Sequence, residues 1–295
     1  MKLSEFDLIH SFKKFQNLSP HVIKGIGDDA AVLELDKKCY QLLTTDMLVE
    51  SVHFLKGHPA RQVGHKALAC NISDIAAMGG KPLVAVVSLG IPEDVTAAYI
   101  QSVYQGMHAC AKKFGVSIVG GDTVKADKLV INVALLGEVE QKYLVTRDGA
   151  KPGDRIFVTG PLGGSLTSGR HLTFTPRIKE AQWLVENCKP SSMMDISDGL
   201  AGDLRHILKA SNVGATIREA DIPKNAGVTT AQALSDGEDF ELLFTLSPLR
   251  AKKLGVSLKI KAFEIGTIIA APKVLLIEDI SGQIAPIKAK GYTHF

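Results

Sequence analysis

Seven acidic residues could do chemistry together if the fold gathered them. They are Asp29 in Gly25-Ile26-Gly27-Asp28-Asp29-Ala30-Ala31-Val32, Asp46 after Thr44-Thr45, Asp74, Asp122 in Gly120-Gly121-Asp122-Thr123, Asp195 and Asp198 in Asp195-Ile196-Ser197-Asp198-Gly199, and Glu238 in Asp236-Gly237-Glu238-Asp239. Clustered carboxylates repel one another severely unless cations neutralise them. Mg²⁺ fits best, because it takes oxygen ligands, keeps waters and bridges carboxylates to phosphates. No Ser/His/Asp arrangement or activated cysteine competes as a nucleophilic centre.

Each acid also has a plainer explanation. Gly-Asp-Asp suits an ordinary turn, and Ser197 or Asp198 suits a helix cap. Gly120-Gly121-Asp122-Thr123 reads equally well as a phosphate-approaching loop beside a metal or as a turn between strands. Gly25-Ile26-Gly27-Asp28-Asp29 is a poor nucleotide loop, lacking the third glycine and the Lys-Ser/Thr that such a loop supplies.

The surrounding pattern supplies the elements that must position these residues. An amphipathic helix is expected at 3–16 with Phe6, Ile9 and Phe12 on one side, followed by strands at 31–35 and 40–45. Residues 59–78 predict a helix opened by proline and closed by Gly79-Gly80, on which Val63, Ala67, Cys70, Asp74 and Met78 share a stripe. Asp74 therefore sits on an apolar face, where a carboxylate must be paired, capped or metal-bound. Strands follow at 83–89, 116–119 and 128–139, with a helix at 92–114. The turn-rich segment 140–155, containing Arg147, reads as a joint between domains. Beyond it, strands are expected at 155–159, 192–196, 240–246, 262–269 and 274–277, with helices at 178–187 and from Leu200. The texture is α+β.

The chain has 295 residues, 45% hydrophobic and 22% charged, with a formal net charge of +3. That composition suits two medium domains with small-molecule partners, and no basic run suggests nucleic acid or a membrane surface. Cys39, Cys70, Cys110 and Cys188 are widely spaced, indicating reduced thiols rather than disulfides or a zinc site. With no apolar targeting segment near the N-terminus and no transmembrane run, a cytoplasmic location is expected.

Eight motifs in order carry a family resemblance: GIGDDAAV, TTDMLVESVHF, HKALACNISDIAAMG, IVGGDT, VTRDGAKPGD, MDISDGLAGDL, SDGEDFEL and GYTHF. Together the chain resembles the thiamine-monophosphate kinases of the aminoimidazole-ribonucleotide-synthetase-like (PurM-like) superfamily. The resemblance implies ATP-dependent, in-line phosphorylation of thiamine monophosphate to thiamine diphosphate. It implies Mg²⁺ ions on Asp29, Thr44, Thr45, Asp46, Asp74, Asp122, Asp195 and Asp198. The nucleotide would be surrounded by Gly121, Asp122, Arg147, Ser197 and Asp198, and the thiamine phosphate by His53, Glu238 and Tyr292. It also implies a homodimer whose N-terminal domains, residues 1–139, share a β-barrel, and a C-terminal α/β sandwich-like domain, residues 140–295.

The stretches 164–177 and 225–236 are shorter than is usual in that family, so substrate-side loops are expected to be trimmed. Within the superfamily the alternative is another ATP-using synthetase. Selenophosphate and hydrogenase-maturation chemistry are disfavoured, since no cysteine precedes GIGDD and the chain closes on Phe295. A non-catalytic Mg-nucleotide regulator is a further alternative, for which missing acids would be the sign.

Overall fold

The computed structural model describes residues 5–255 and 259–294. Residues 3 and 4 of the expected first helix, the side chain of Phe6 and the terminal Phe295 lie outside what is described.

The first half contains α1 (Glu5–Phe12), β1 (Val22–Lys24), β2 (Ala31–Glu34), β3 (Cys39–Val49), α2 (Ala60–Ala77), β4 (Lys81–Ile91), α3 (Ala97–Phe114), β5 (Ser117–Lys125) and β6 (Val130–Glu140). Its strands form one sheet in the order β1-β2-β3-β6-β4-β5. In β6, Ile131, Val133 and Leu135 are fully buried and alternate with partly buried positions, as period-2 patterning requires. Helices α2 and α3 pack on one another very closely. A Cβ at Gly64 would stand 1.9 Å from the Val103 carbonyl oxygen, and one at Gly106 would stand 1.9 Å from that of Arg61. Only glycine permits that approach.

The sheet's other face is open. Leu43, Met47, Val86 and Val124 are all exposed there, on strands β3, β4 and β5.

The second half contains β7 (Arg155–Val158), α4 (Ser165–Ser168), α5 (Ile178–Asn187), β8 (Ser192–Asp195), α6 (Leu200–Ser211), β9 (Gly214–Arg218), α7 (Thr230–Ser235), β10 (Leu242–Leu246), α8 (Pro248–Gly255), β11 (Phe263–Ile269), β12 (Leu275–Glu278) and β13 (Ile284–Pro286). Its seven-stranded sheet runs β13-β12-β9-β11-β7-β10-β8. Leu200, Leu204, Ile207 and Leu208 of α6 bury one stripe in a core formed within this half.

A second core joins the halves, bringing Ile72, Ile75 and Met78 together with Phe157, Met193 and Phe244. Helix α2 is its centre, touching α5 and β8 as well as the first sheet. The chain is thus a mixed α+β protein with two sheets, and α2 lies between them.

Three local expectations differ from the structure. Strand β3 continues through Thr44-Thr45-Asp46 rather than ending there, because β6 pairs with it along its whole length. Strand β5 continues through Gly120-Gly121-Asp122-Thr123, which is neither turn nor loop, because β4 supplies a parallel partner. Helix α6 starts after Gly199 with no side-chain cap, so neither Ser197 nor Asp198 caps it.

Candidate active site

Asp29, Asp46, Asp74 and the pair Asp195 and Asp198 arrive from four separate segments. Asp29 closes the glycine turn before β2, Asp46 lies inside β3, Asp74 lies on α2, Asp195 ends β8, and Asp198 follows in the loop before α6. Carboxylate oxygens of Asp29, Asp74 and Asp195 come within 4.8 Å of one another. Hydroxyls hold two of the three, with Thr44 Oγ1 donating to Asp74 Oδ2 at 2.5 Å and Ser73 Oγ donating to Asp195 Oδ2 at 2.5 Å. Asp29 Oδ1 accepts from Arg147 Nη2 at 2.5 Å, while its buried Oδ2 has no hydrogen-bond partner.

Burial and mutual repulsion push these acids upward. Asp29 rises to about 7, chiefly through burial, with Arg147 opposing and Asp195 and Asp28 adding to the shift. Asp46, Asp195 and Asp198 each rise to about 6, again through burial first. Asp74 is raised well above the usual range by burial and by Asp46, Asp195 and Asp29. Such a group of costly anions with an orphaned buried oxygen is suited to a hard divalent cation.

A cavity of about 190 Å³ opens beside the cluster. Asp46, Asp74, Asp195, Ser197 and Asp198 line it, and so do His53, Glu238 and Tyr292. The Val49 N–H donates to His53 Nδ1 at 3.0 Å, which leaves the ring proton on Nε2. Burial, Lys66 and His294 push the imidazole down to about 4, so it is neutral at pH 7. Tyr292 is tethered by its N–H to the Asp198 carbonyl at 2.8 Å, and its ring meets His294 edge-on. The Glu238 N–H donates to the Ser197 carbonyl at 2.7 Å.

The two ends of the site carry cations. Burial works against the charge of Arg147, but Asp29 more than restores it, so its pKa is raised. At the other end, Lys66 Nζ stands 2.5 Å from Glu238 Oε2 in an ion pair whose angle departs from that of a hydrogen bond.

Three expected residues stand elsewhere. Thr45 alternates to the sheet face opposite Thr44 and donates its hydroxyl to the Val133 carbonyl at 3.0 Å. Asp122 is paired in register with Ser88 on the edge strand β5, is exposed, and accepts from the Thr123 N–H at 2.8 Å. Gly121 beside it packs against the backbone of β4, where a Cβ would stand 1.7 Å from the Val87 carbonyl oxygen.

Sequence reasoning missed several contributors. Ser73 and Asn71 support the cluster from α2, the latter accepting from the Asp46 N–H at 3.1 Å. Asp203 and His206 on α6 come within 4.8 Å of Asp198. Lys66 had a visible signal, a charged residue four positions before Cys70 and eight before Asp74, on the stripe expected to be buried.

Comparison with known proteins gives the family. Residues 27–139 match the AIR synthase related protein N-terminal domain family. The thiamine-monophosphate kinase of Bacillus subtilis is 37% identical over 327 aligned positions, covering 99% of this chain and 100% of that protein. A solved structure of AaThiL complexed with AMPPCP and TMP is 34% identical, with a TM-score of 0.87 over 100% of this chain and 99% of that one. Thiamine monophosphate kinase from Aquifex aeolicus superposes with a TM-score of 0.81 at 32% identity, over 97% of this chain and 99% of that one. The fold is therefore PurM-like, and the chain belongs to the thiamine-monophosphate kinase family.

Proposed function

We propose that this chain transfers the γ-phosphoryl group of ATP to thiamine monophosphate, giving thiamine diphosphate and ADP. The observation that carries the reading is the convergence of Asp29, Asp74 and Asp195, with Asp29 Oδ2 unpartnered, beside a cavity that Asp74 and Asp195 line together with Glu238 and Tyr292. Support comes from the relative solved with an ATP analogue and TMP.

Both reactants are phosphates, so the main barrier is bringing like charges together. Asp29, Asp46, Asp74, Asp195 and Asp198, with the Thr44 hydroxyl beside Asp74, would hold Mg²⁺, which would supply positive charge against the phosphates. Arg147 grips the nucleotide's phosphates from the Asp29 side, near Ser197 and Asp198. Glu238 faces the thiazolium cation, Tyr292 covers a ring of the substrate, and His53 offers its Nε2–H as a neutral donor. A phosphate oxygen of thiamine monophosphate attacks the γ-phosphorus in line as the bond to the β–γ bridging oxygen breaks, and ADP leaves with that electron pair. The acceptor is largely deprotonated near neutral pH, its second pKa being about 6, so no general base is assigned.

In this reading residues 1–139 supply most metal ligands and residues 140–295 complete the nucleotide and substrate site. The protein acts as a homodimer joined through the open, apolar face of the first sheet. Gly121, Asp122 and the Thr45 strand segment then belong to the shared interior, and Asp122 serves the site of the second copy. Phosphorus NMR of protein, Mg²⁺, ATP and thiamine monophosphate tests the reaction. New diphosphate resonances support it, and ATP consumption without thiamine diphosphate rejects it.

A further inference from the structure

We propose that Lys66 is a positioning residue for the acceptor substrate, fixing both Glu238 and the His53 segment so that the cavity presents an immobile anion to a cationic ring. This rests on the functional reading above, which places Glu238 and His53 on the substrate side.

Lys66 is fully buried on α2, where an ammonium persists only if it is paired. Its Nζ meets Glu238 Oε2 at 2.5 Å and donates to the His53 carbonyl at 2.9 Å. One cation thereby joins two cavity walls that come from opposite halves of the chain. Lys66 is not itself part of the cavity lining, so its influence passes through its partners.

Glu238 needs such an anchor. Its backbone has φ 58°, with φ 70° at Gly237 and φ 51° at Phe240, a run that non-glycine residues adopt only when their surroundings impose it. From behind, Asp239 is clamped by the Gly163 N–H at 2.8 Å, the Ser165 hydroxyl at 2.6 Å and Arg170 Nη2 at 2.9 Å. Those bonds fix the backbone, and only the Lys66 contact fixes the direction of the Glu238 carboxylate among the described residues. With Oε2 engaged, Glu238 still keeps 21% of its side chain exposed for a ligand.

The test compares Lys66→Met, Lys66→Arg, Glu238→Gln and the Lys66→Met/Glu238→Gln double variant in the full-length protein. KM for thiamine monophosphate should rise on the order of 30-fold in Lys66→Met while KM for ATP changes less than about threefold. Lys66→Arg should recover part of that loss. The double variant buries no unpaired charge and should fold; its effect on the acceptor KM should match Glu238→Gln alone rather than the sum of the two. An acceptor KM that is unchanged in Lys66→Met, or that rises equally with the ATP KM, overturns the proposal, as does simple additivity in the double variant. If Lys66→Met does not fold, the comparison of the double variant with Glu238→Gln decides. Wild-type protein is the control on the reaction itself. Turnover of thiamine monophosphate with an insensitive Lys66 sinks only this inference, whereas no wild-type turnover sinks the reading and the inference together.

Discussion

Lys66 Nζ and Glu238 Oε2 lie 2.5 Å apart at one end of the acid-lined cavity, and Arg147 Nη2 and Asp29 Oδ1 lie 2.5 Å apart at the site's other end. Asp46, Asp74, Asp195 and Asp198 stand between these pairs with raised pKa values. The two ion pairs hold the ends of the site, and the acids between them have no cation in contact among the described residues.

Asp74→Asn should lower turnover by roughly a thousandfold while leaving the metal-free fold intact. The amide oxygen can still accept from Thr44 Oγ1, and one buried anion is removed from a repelling group. Steady-state rates beside circular dichroism check this, and near wild-type turnover would take Asp74 out of the reaction.

Stability of the metal-free protein should fall as pH rises from about 5 to about 8. Asp46, Asp195 and Asp198 titrate near 6 and Asp29 near 7, against an ordinary 3.8. The folded state therefore binds more protons than the unfolded chain between these values, and the linkage slope is negative there. Mg²⁺ should raise the melting temperature strongly at pH 8 and little at pH 5, because a protonated cluster offers few anionic ligands. Melting curves with and without Mg²⁺ at both values decide, and an equal Mg²⁺ shift at both would contradict the carboxylate cluster as its cause.

Asp122→Asn and Asp74→Asn proteins should each be inactive alone yet regain activity when unfolded and refolded together. If Asp122 serves the second copy, about half the dimers are mixed and each has one intact site of two, giving about a quarter of wild-type activity. No recovery would confine Asp122 to its own chain or remove it from the site.

Glu241→Gln should destabilise the second half by about 3 kcal/mol. The fully buried Glu241 accepts from Arg177 Nη2 at 2.5 Å, Arg177 Nε at 2.7 Å and the Thr159 hydroxyl at 2.7 Å, and it pairs with Arg170 at 3.3 Å. Its loss leaves two guanidinium groups short of an anion. Denaturant unfolding measures this, and a change below about 0.5 kcal/mol would show that the arginines find other partners.

What could be read from the sequence was what is local. The alternation of Ile131, Val133 and Leu135 gave β6, and the 3.6-residue stripe through Val63, Ala67, Cys70 and Asp74 gave α2 and the turning of Asp74 toward the interior. What escaped depended on distant partners. Gly120-Gly121 looks like a turn until β4 is known to run parallel beside it, and Asp46 looks like a strand end until β6 is paired along its length. Lys66 was visible as an anomaly on an apolar stripe, but its carboxylate partner belongs to the other half of the chain. The acids could be gathered from the sequence as a candidate set, but the expectation that they converge came through the family likeness, because no periodicity links positions so far apart.

That separation bears on the order in which the molecule forms. Arg147 and Asp29 are 118 positions apart, and Ser73 on α2 and Asp195 at the end of β8 are 122 apart. Loops of that length close only after the local helices and hairpins exist, so the acid-lined pocket is a late product of folding. A nascent or half-folded chain has neither the pocket nor the mutual repulsion of its acids, and the protein acquires both together when α2 is sealed between its sheets.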